Sequence, residues 1–330
     1  MNWKNKKVLV TGADGFIGSH LTERLITKGA SVRAFVYYNS FNSWGWLDTL
    51  PADQKKKLDV FSGDVRDSSG VLEASRGTEI IFHLAALIGI PFSYHSPDSY
   101  VDTNIRGTLN VLQAARKTKP QKVIHTSTSE VYGSAQYTPM DEAHPINPQS
   151  PYAATKAAAD SLALSFYRSF ELPVTIIRPF NTFGPRQSAR AIIPTIMAQI
   201  YSGQKTIRLG NLNALRDFNY ITNTVDAFIR LAEAPKTEGE VFNVGSGREI
   251  SIGELAALVS KVSGKKIKVI KDRERIRPAK SEVGQLLCNA GKIRAKCAWK
   301  PAVSLEAGIK RTAHWMKDHT RHYKPEIYNV

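Results

Sequence analysis

Near the N-terminus the chain passes from a short apolar run at residues 6–11 into Gly12-Ala13-Asp14-Gly15-Phe16-Ile17-Gly18, then into an amphipathic segment at 19–28 closed by Gly29. The order reads as strand, glycine turn, helix. Glycines at this spacing permit a tight turn and let the backbone approach a pyrophosphate, whose charge the N–H groups at the helix start stabilise. Such a motif is weak evidence alone and strong in context. Further apolar runs at 31–37, 58–61, 80–84, 122–126 and 174–178 alternate with helical segments. Strands alternating with helices predict an α/β fold, a Rossmann-like doubly wound parallel sheet with helices on both faces. After Pro173 the character changes. The stretch from Arg178 to Arg186 is rich in turn formers, and helical patterns at 192–203, 222–233, 252–263 and 305–316 with short strands between them predict a smaller mixed α/β C-terminal lobe. The expected division is 1–178 plus about 221–245 for the dinucleotide-binding unit, and 179–220 plus 246–330 for the substrate lobe, with the ligand in the cleft between them.

In such a fold an acid usually closes the second strand and accepts hydrogen bonds from the adenosine ribose. Here the expected position holds Val36, and Tyr37, Tyr38, Asn39 and Ser40 follow, so neither a ribose acid nor an arginine for a 2′-phosphate is present. NAD is expected over NADP because no cation is placed for the phosphate. Asp64-Val65 after the third strand reads either as an adenine cap or as an ordinary turn before Arg66.

The chemistry sits in Thr126-Ser127-Thr128-Ser129-Glu130-Val131-Tyr132-Gly133 and in Tyr152-Ala153-Ala154-Thr155-Lys156. A tyrosine and a lysine one helical turn apart, with a nearby hydroxyl, can take a proton from an alcohol while hydride leaves its carbon. Glu130 adds a base for a second, less acidic C–H.

Composition limits the alternatives. The net charge is +16, and residues 260–330 hold eighteen Lys and Arg against six Asp and Glu. The bias lacks the aromatic platform of single-strand binders and any nucleic-acid module, so it reads as a solvated basic surface or a funnel for a diphosphate, with no nucleic-acid partner. Two cysteines, Cys288 and Cys297, form neither a disulfide framework nor a zinc site, and no metal is expected. No apolar run reaches membrane length and no signal peptide is recognisable, so a cytoplasmic protein is expected. His83 reads as a packed histidine, and His95, His319 and His322 lack metal-ligand partners. The role of Trp44 and Trp46 stays open between packing over the cofactor and forming a partner surface.

Gly12-x-x-Gly15-x-x-Gly18, Asp64-Val65, Leu84-Ala85-Ala86, Thr128-Ser129-Glu130, Tyr152-x-x-x-Lys156 and Arg178-Pro179-Phe180-Asn181 together resemble the extended short-chain dehydrogenases/reductases acting on nucleotide sugars. Within that group the Thr-Ser-Glu triplet, the run from Arg277 to Val283 and the loop from Ser40 to Trp46 most resemble nucleotide-sugar 4,6-dehydratases. The nearest likeness is to the N-acetylhexosamine dehydratases of legionaminic acid biosynthesis, which implies GDP-linked N-acetylglucosamine as substrate. The resemblance implies that Gly12, Gly15, Phe16, Ile17, Gly18, Asp64, Val65, Leu84, Ala85 and Ala86 hold the cofactor together with Tyr152 and Lys156. It implies that Tyr152 deprotonates the sugar 4-hydroxyl, that Lys156 grips the cofactor ribose and lowers the tyrosine pKa, that Thr128 bonds the 4-oxygen, and that Glu130 removes the C5 proton. Ser129 stands where many dehydratases carry an aspartic acid, so it positions rather than protonates. Arg216 and Arg277 are candidates for the diphosphate, a role a guanidinium suits. Asn181 and Arg186 are further substrate-binding candidates. The helices around 109–115 and 153–166 imply a homodimer through a four-helix bundle. A UDP-glucuronate decarboxylase, a 4-epimerase and a non-catalytic NAD-binding sensor are the rival readings.

Overall fold

The computed structural model describes residues 1–328. Thirteen strands follow in chain order: β1 (Lys7–Thr11), β2 (Ser31–Tyr37), β3 (Leu58–Gly63), β4 (Ile80–His83), β5 (Lys122–Thr126), β6 (Val174–Pro179), β7 (Asn181–Phe183), β8 (Thr206–Leu209), β9 (Leu215–Tyr220), β10 (Val241–Val244), β11 (Glu249–Ser251), β12 (Lys268–Lys271) and β13 (Gln285–Leu286). Seven of them form one sheet in the order β10-β6-β5-β4-β1-β2-β3, every pairing parallel. The order reverses between β1 and β4, which opens a crevice at the carboxyl ends of the strands where ligands bind in this architecture.

Alternation along each strand builds two cores. Val8 and Val10 of β1, Ala34 of β2, Phe82 of β4 and Ile124 of β5 face one side, covered by Leu21, Leu25, Val225 and Phe228 from the helices Phe16–Thr27 and Ile221–Glu233. Leu9, Phe35, Ile81, Val123 and Ile176 face the other, covered by Val111, Leu112, Ala163 and Phe166 from the helices Gly107–Thr118 and Pro151–Phe170. Burial on both faces makes the strands read as continuous apolar runs, and the doubly wound sheet is the one the sequence predicts.

Outside this sheet, β9 pairs with β7, β11 and β13, while β8 pairs with β12. Residues of these small sheets and of the helices Ile192–Tyr201 and Ile252–Ser263 line the far wall of the crevice, and the helix Leu305–His319 completes the lobe. Among the described residues no helix is long and apolar enough to cross a membrane, and no group of three His, Cys, Asp or Glu could hold a metal. Both cysteines are free thiols.

Candidate active site

Between the large sheet and the small sheets lies a cleft of about 1300 Å³. Its floor begins at the glycine turn. Gly12 has φ of +68°, and a Cβ there would stand 2.9 Å from the backbone of Ala85; a Cβ on Gly18 would stand 2.0 Å from the Gly12 carbonyl oxygen. The helix Phe16–Thr27 starts from Gly15 with no side-chain cap and no acid in its first turn, so its first N–H groups open on the cleft. The Thr11 hydroxyl accepts the N–H groups of Leu84 and Ala85 at 3.1 and 3.2 Å, which ties the β4 exit to β1.

The opposite part of the floor is the end of β5. Thr128 caps the short turn Ser129–Tyr132 by accepting the Glu130 N–H at 3.2 Å, and this aims the half-buried Glu130 side chain into the cleft. The helix Pro151–Phe170 begins at Ser150, whose hydroxyl accepts the Ala153 N–H, with Pro151 in the first turn. That start sets the phase that turns Tyr152, Lys156 and Asp160, each four residues apart, to one face. Lys156 Nζ donates to the Thr126 carbonyl at 2.5 Å, and Asp160 accepts the Ser127 hydroxyl at 2.7 Å. The Asp160 carboxylate is also held by Arg178 at 2.9 and 3.0 Å, and Arg178 donates to the Tyr132 hydroxyl, which donates to Asn243. A buried polar chain thus fixes the residues that carry Thr128 and Glu130.

Burial pushes the Tyr152 phenol well above its ordinary range; Thr128 beside it favours ionisation, and the nearby Glu130 charge opposes it. Lys156, to which the resemblance gives the role of lowering this group, donates here to the Thr126 carbonyl. The Lys156 ammonium is itself pushed down to about 8 by burial, with Asp160 opposing the shift. Its sign is direct: below about pH 8 the group is charged, and above it the group is neutral. The turnover rate is therefore expected to fall as pH rises through about 8, and Lys156→Arg, permanently charged, to lose that limb while retaining residual activity. A pH-rate profile in which the limb survives the substitution assigns it to another group.

Every candidate residue named from the sequence lines this cleft, but the structure sorts them. Arg216 and Arg277 come close enough for each other's charge to matter, and Glu130 is also within electrostatic reach of Arg216. Arg216 is buried and bonded to the Leu215 carbonyl and to Glu282, whereas Arg277 keeps a buried Nη1 without a partner among the described residues. Arg186 lines the cleft and pairs with Glu23 of the helix Phe16–Thr27 at 2.9 Å. The Asp64 carboxylate is gripped by the Arg66 guanidinium, and Val65 is buried against Gly107. His83 is buried on β4 between Thr11 and Thr108, and burial holds it neutral. Trp46 lies edge-on to Trp315 and His322 of the C-terminal segment, and Trp44 packs on the core.

Sequence reasoning passed over Thr126 and Gln187 as ligand contacts. With Asn181 and Arg277 they line this cleft, and each carries a buried polar atom, Thr126 Oγ1, Gln187 Oε1, Asn181 Nδ2 and Arg277 Nη1, that finds no partner among the described residues. An unpaired buried polar group costs about 1–3 kcal/mol, so four such residues around one cleft mark its polar end. The turn at Gly184-Pro185 hints at an excursion, but nothing local marks Gln187 as facing inward.

A glycine-lined cradle at the sheet's switch point, joined to a hydroxyl, tyrosine and lysine set, defines the class as a short-chain dehydrogenase/reductase fold built for a nucleotide cofactor. The family model described as GDP-mannose 4,6 dehydratase matches residues 9–312, and the chain belongs to that family. A putative UDP-glucose 4-epimerase of Methanocaldococcus jannaschii is 31% identical over 95% of this chain and 99% of its own. A UDP-N-acetyl-α-D-glucosaminuronate decarboxylase of Bacillus cytotoxicus is 31% identical over 95% and 98%. Among solved structures, the dTDP-glucose 4,6-dehydratase of Streptomyces venezuelae with NAD and TYD bound has a TM-score of 0.87 and 28% identity, covering 97% of this chain and 99% of that one.

Proposed function

We propose that the protein is a nucleotide-sugar 4,6-dehydratase that turns a nucleotide-linked hexose or N-acetylhexosamine into its 4-keto-6-deoxy form, with GDP-linked N-acetylglucosamine the favoured substrate. The observation that carries the reading is the position of Glu130, a carboxylate lining the same cleft as Tyr152 and within electrostatic reach of it. The glycine turn Gly12–Gly18 would hold NAD, which would supply the hydride chemistry at C4 and C6. Tyr152 takes the proton of the 4-hydroxyl, with Thr128 bonding the 4-oxygen. The new ketone acidifies C5–H, and Glu130 removes that proton and passes it to the hydroxyl leaving C6 as water. C5 then regains a proton, matching the one Tyr152 removed, so the net change is loss of one water. Ser129, buried at the start of the turn, would help to position Glu130 and would carry no proton. A 4-epimerase, which moves hydride out and back, has no use for this carboxylate.

The small-sheet lobe supplies Arg216 and Arg277 for the diphosphate and Asn181 for phosphate or sugar. Arg277→Ala is expected to raise KM for the nucleotide sugar about 10- to 100-fold, the range of one charge-assisted hydrogen bond, while kcat and dinucleotide binding hold. Steady-state kinetics with a parallel dinucleotide titration separate the two. The same reading includes a homodimer, which the exposed Val101, Tyr167 and Phe170 on and beside the helices named for it would support.

The decisive experiment incubates purified protein with GDP-, UDP- and dTDP-linked hexoses and N-acetylhexosamines and with UDP-glucuronate, and weighs the products. Loss of one water without net reduction of added NAD supports the dehydratase and names the nucleotide. Loss of carbon dioxide from the uronate makes the protein a decarboxylase, the activity named for one relative, and an isomer of unchanged mass makes it an epimerase.

A further inference from the structure

β2 ends at Tyr37 without an acid, yet the structure brings a carboxylate to that strand end from another element. Asp14, inside the glycine turn, accepts the Tyr37 N–H through its carboxyl group at 3.3 Å. Its carbonyl accepts the Trp46 N–H at 3.0 Å. Gly45, at φ of +58°, lies so close that a Cβ there would stand 2.6 Å from the Asp14 carbonyl oxygen and 3.0 Å from its Cβ, so only glycine fits. Trp46 is anchored in turn by Trp315 at 5.6 Å and His322 at 5.3 Å. The Ser43-Trp44-Gly45-Trp46 loop, which the sequence left without a role, is the clamp that keeps Asp14 at the end of β2. Asp14 lines the cleft beside Tyr37 and Gly15.

A carboxylate fixed there accepts hydrogen bonds from a vicinal diol and repels a phosphate. Arg66, beyond the end of β3, offers such a phosphate little compensation, because its guanidinium is bonded to Asp64. We propose that Asp14 replaces the missing strand-end acid as the acceptor for the adenosine ribose hydroxyls and is the residue that selects NAD over NADP. The proposal rests on the dinucleotide-binding part of the function proposed above.

Isothermal titration of the full-length protein with NAD⁺ and with NADP⁺, without sugar nucleotide, tests it. The wild type is expected to bind NAD⁺ about 100-fold more tightly than NADP⁺. Asp14→Asn, which keeps the shape and removes the charge, is expected to weaken NAD⁺ about tenfold and to bring the two affinities within about tenfold of each other. Titration of the wild type with 2′-deoxy-NAD⁺ gives an independent measurement should the variant fold poorly: about a tenfold loss supports the proposal, and affinity equal to NAD⁺ overturns it. An unchanged NAD⁺ to NADP⁺ ratio in Asp14→Asn overturns the assignment to Asp14 while leaving dinucleotide binding intact. Binding of neither dinucleotide by the wild type overturns both this proposal and the reading beneath it.

Discussion

Glu130→Gln is expected to arrest the reaction after its first half, with product formation down about 10³-fold while the absorbance of reduced nicotinamide at 340 nm rises once and persists. Glutamine keeps the size and the backbone bond to Thr128 but can neither take the C5 proton nor deliver one to the leaving hydroxyl. Ser129→Ala is the paired control. Ser129 is buried in the same turn, and the alanine variant is expected to stay within about tenfold of wild type, since it removes no proton carrier. Equal losses in the two variants would sink the assignment of the shuttle to Glu130. Stopped-flow absorbance with mass detection of the quenched sugar distinguishes an arrested ketone from an inactive enzyme.

Tyr152→Phe is expected to block the step before that one. Without the phenol no group is placed to take the 4-hydroxyl proton, so a loss of about 10³-fold or more in turnover is predicted, with no rise at 340 nm. Binding of the nucleotide sugar should change little, because the proposed grip lies at Arg216, Arg277 and Asn181. The contrast between the variants is the informative result: one accumulates reduced cofactor and the other never forms it. If Tyr152→Phe still gave the absorbance rise, the base would have to be another group, and Lys156 with its pKa near 8 would be the next candidate.

The precision that both predictions assume comes from the buried chain behind the site. Three successive turns of one helix place Tyr152 beside Thr128, Lys156 on Thr126 and Asp160 on Ser127. Arg178 locks Asp160 from the neighbouring strand β6, and Tyr132 carries the chain on to Asn243 of β10. This buried network ties together strand ends that would otherwise be free to drift.

What the sequence by itself determined is what short-range physics encodes. The strand-turn-helix unit at the N-terminus, the two-faced apolar strands and the one-turn spacing of Tyr152 and Lys156 each depend on residues a few positions apart. Those features were enough for the fold class and for the residues lining one cleft. The tertiary structure alone decided the partners and the burial of those residues. Glu23 pairs with Arg186 across the fold, Glu282 pairs with Arg216, and burial pushes the Tyr152 phenol up. The acid absent from β2 is supplied by Asp14, held by a loop that is anchored on a helix some 270 residues later in the chain. These outcomes turn on desolvation and on partners distant in sequence, which no local pattern can carry.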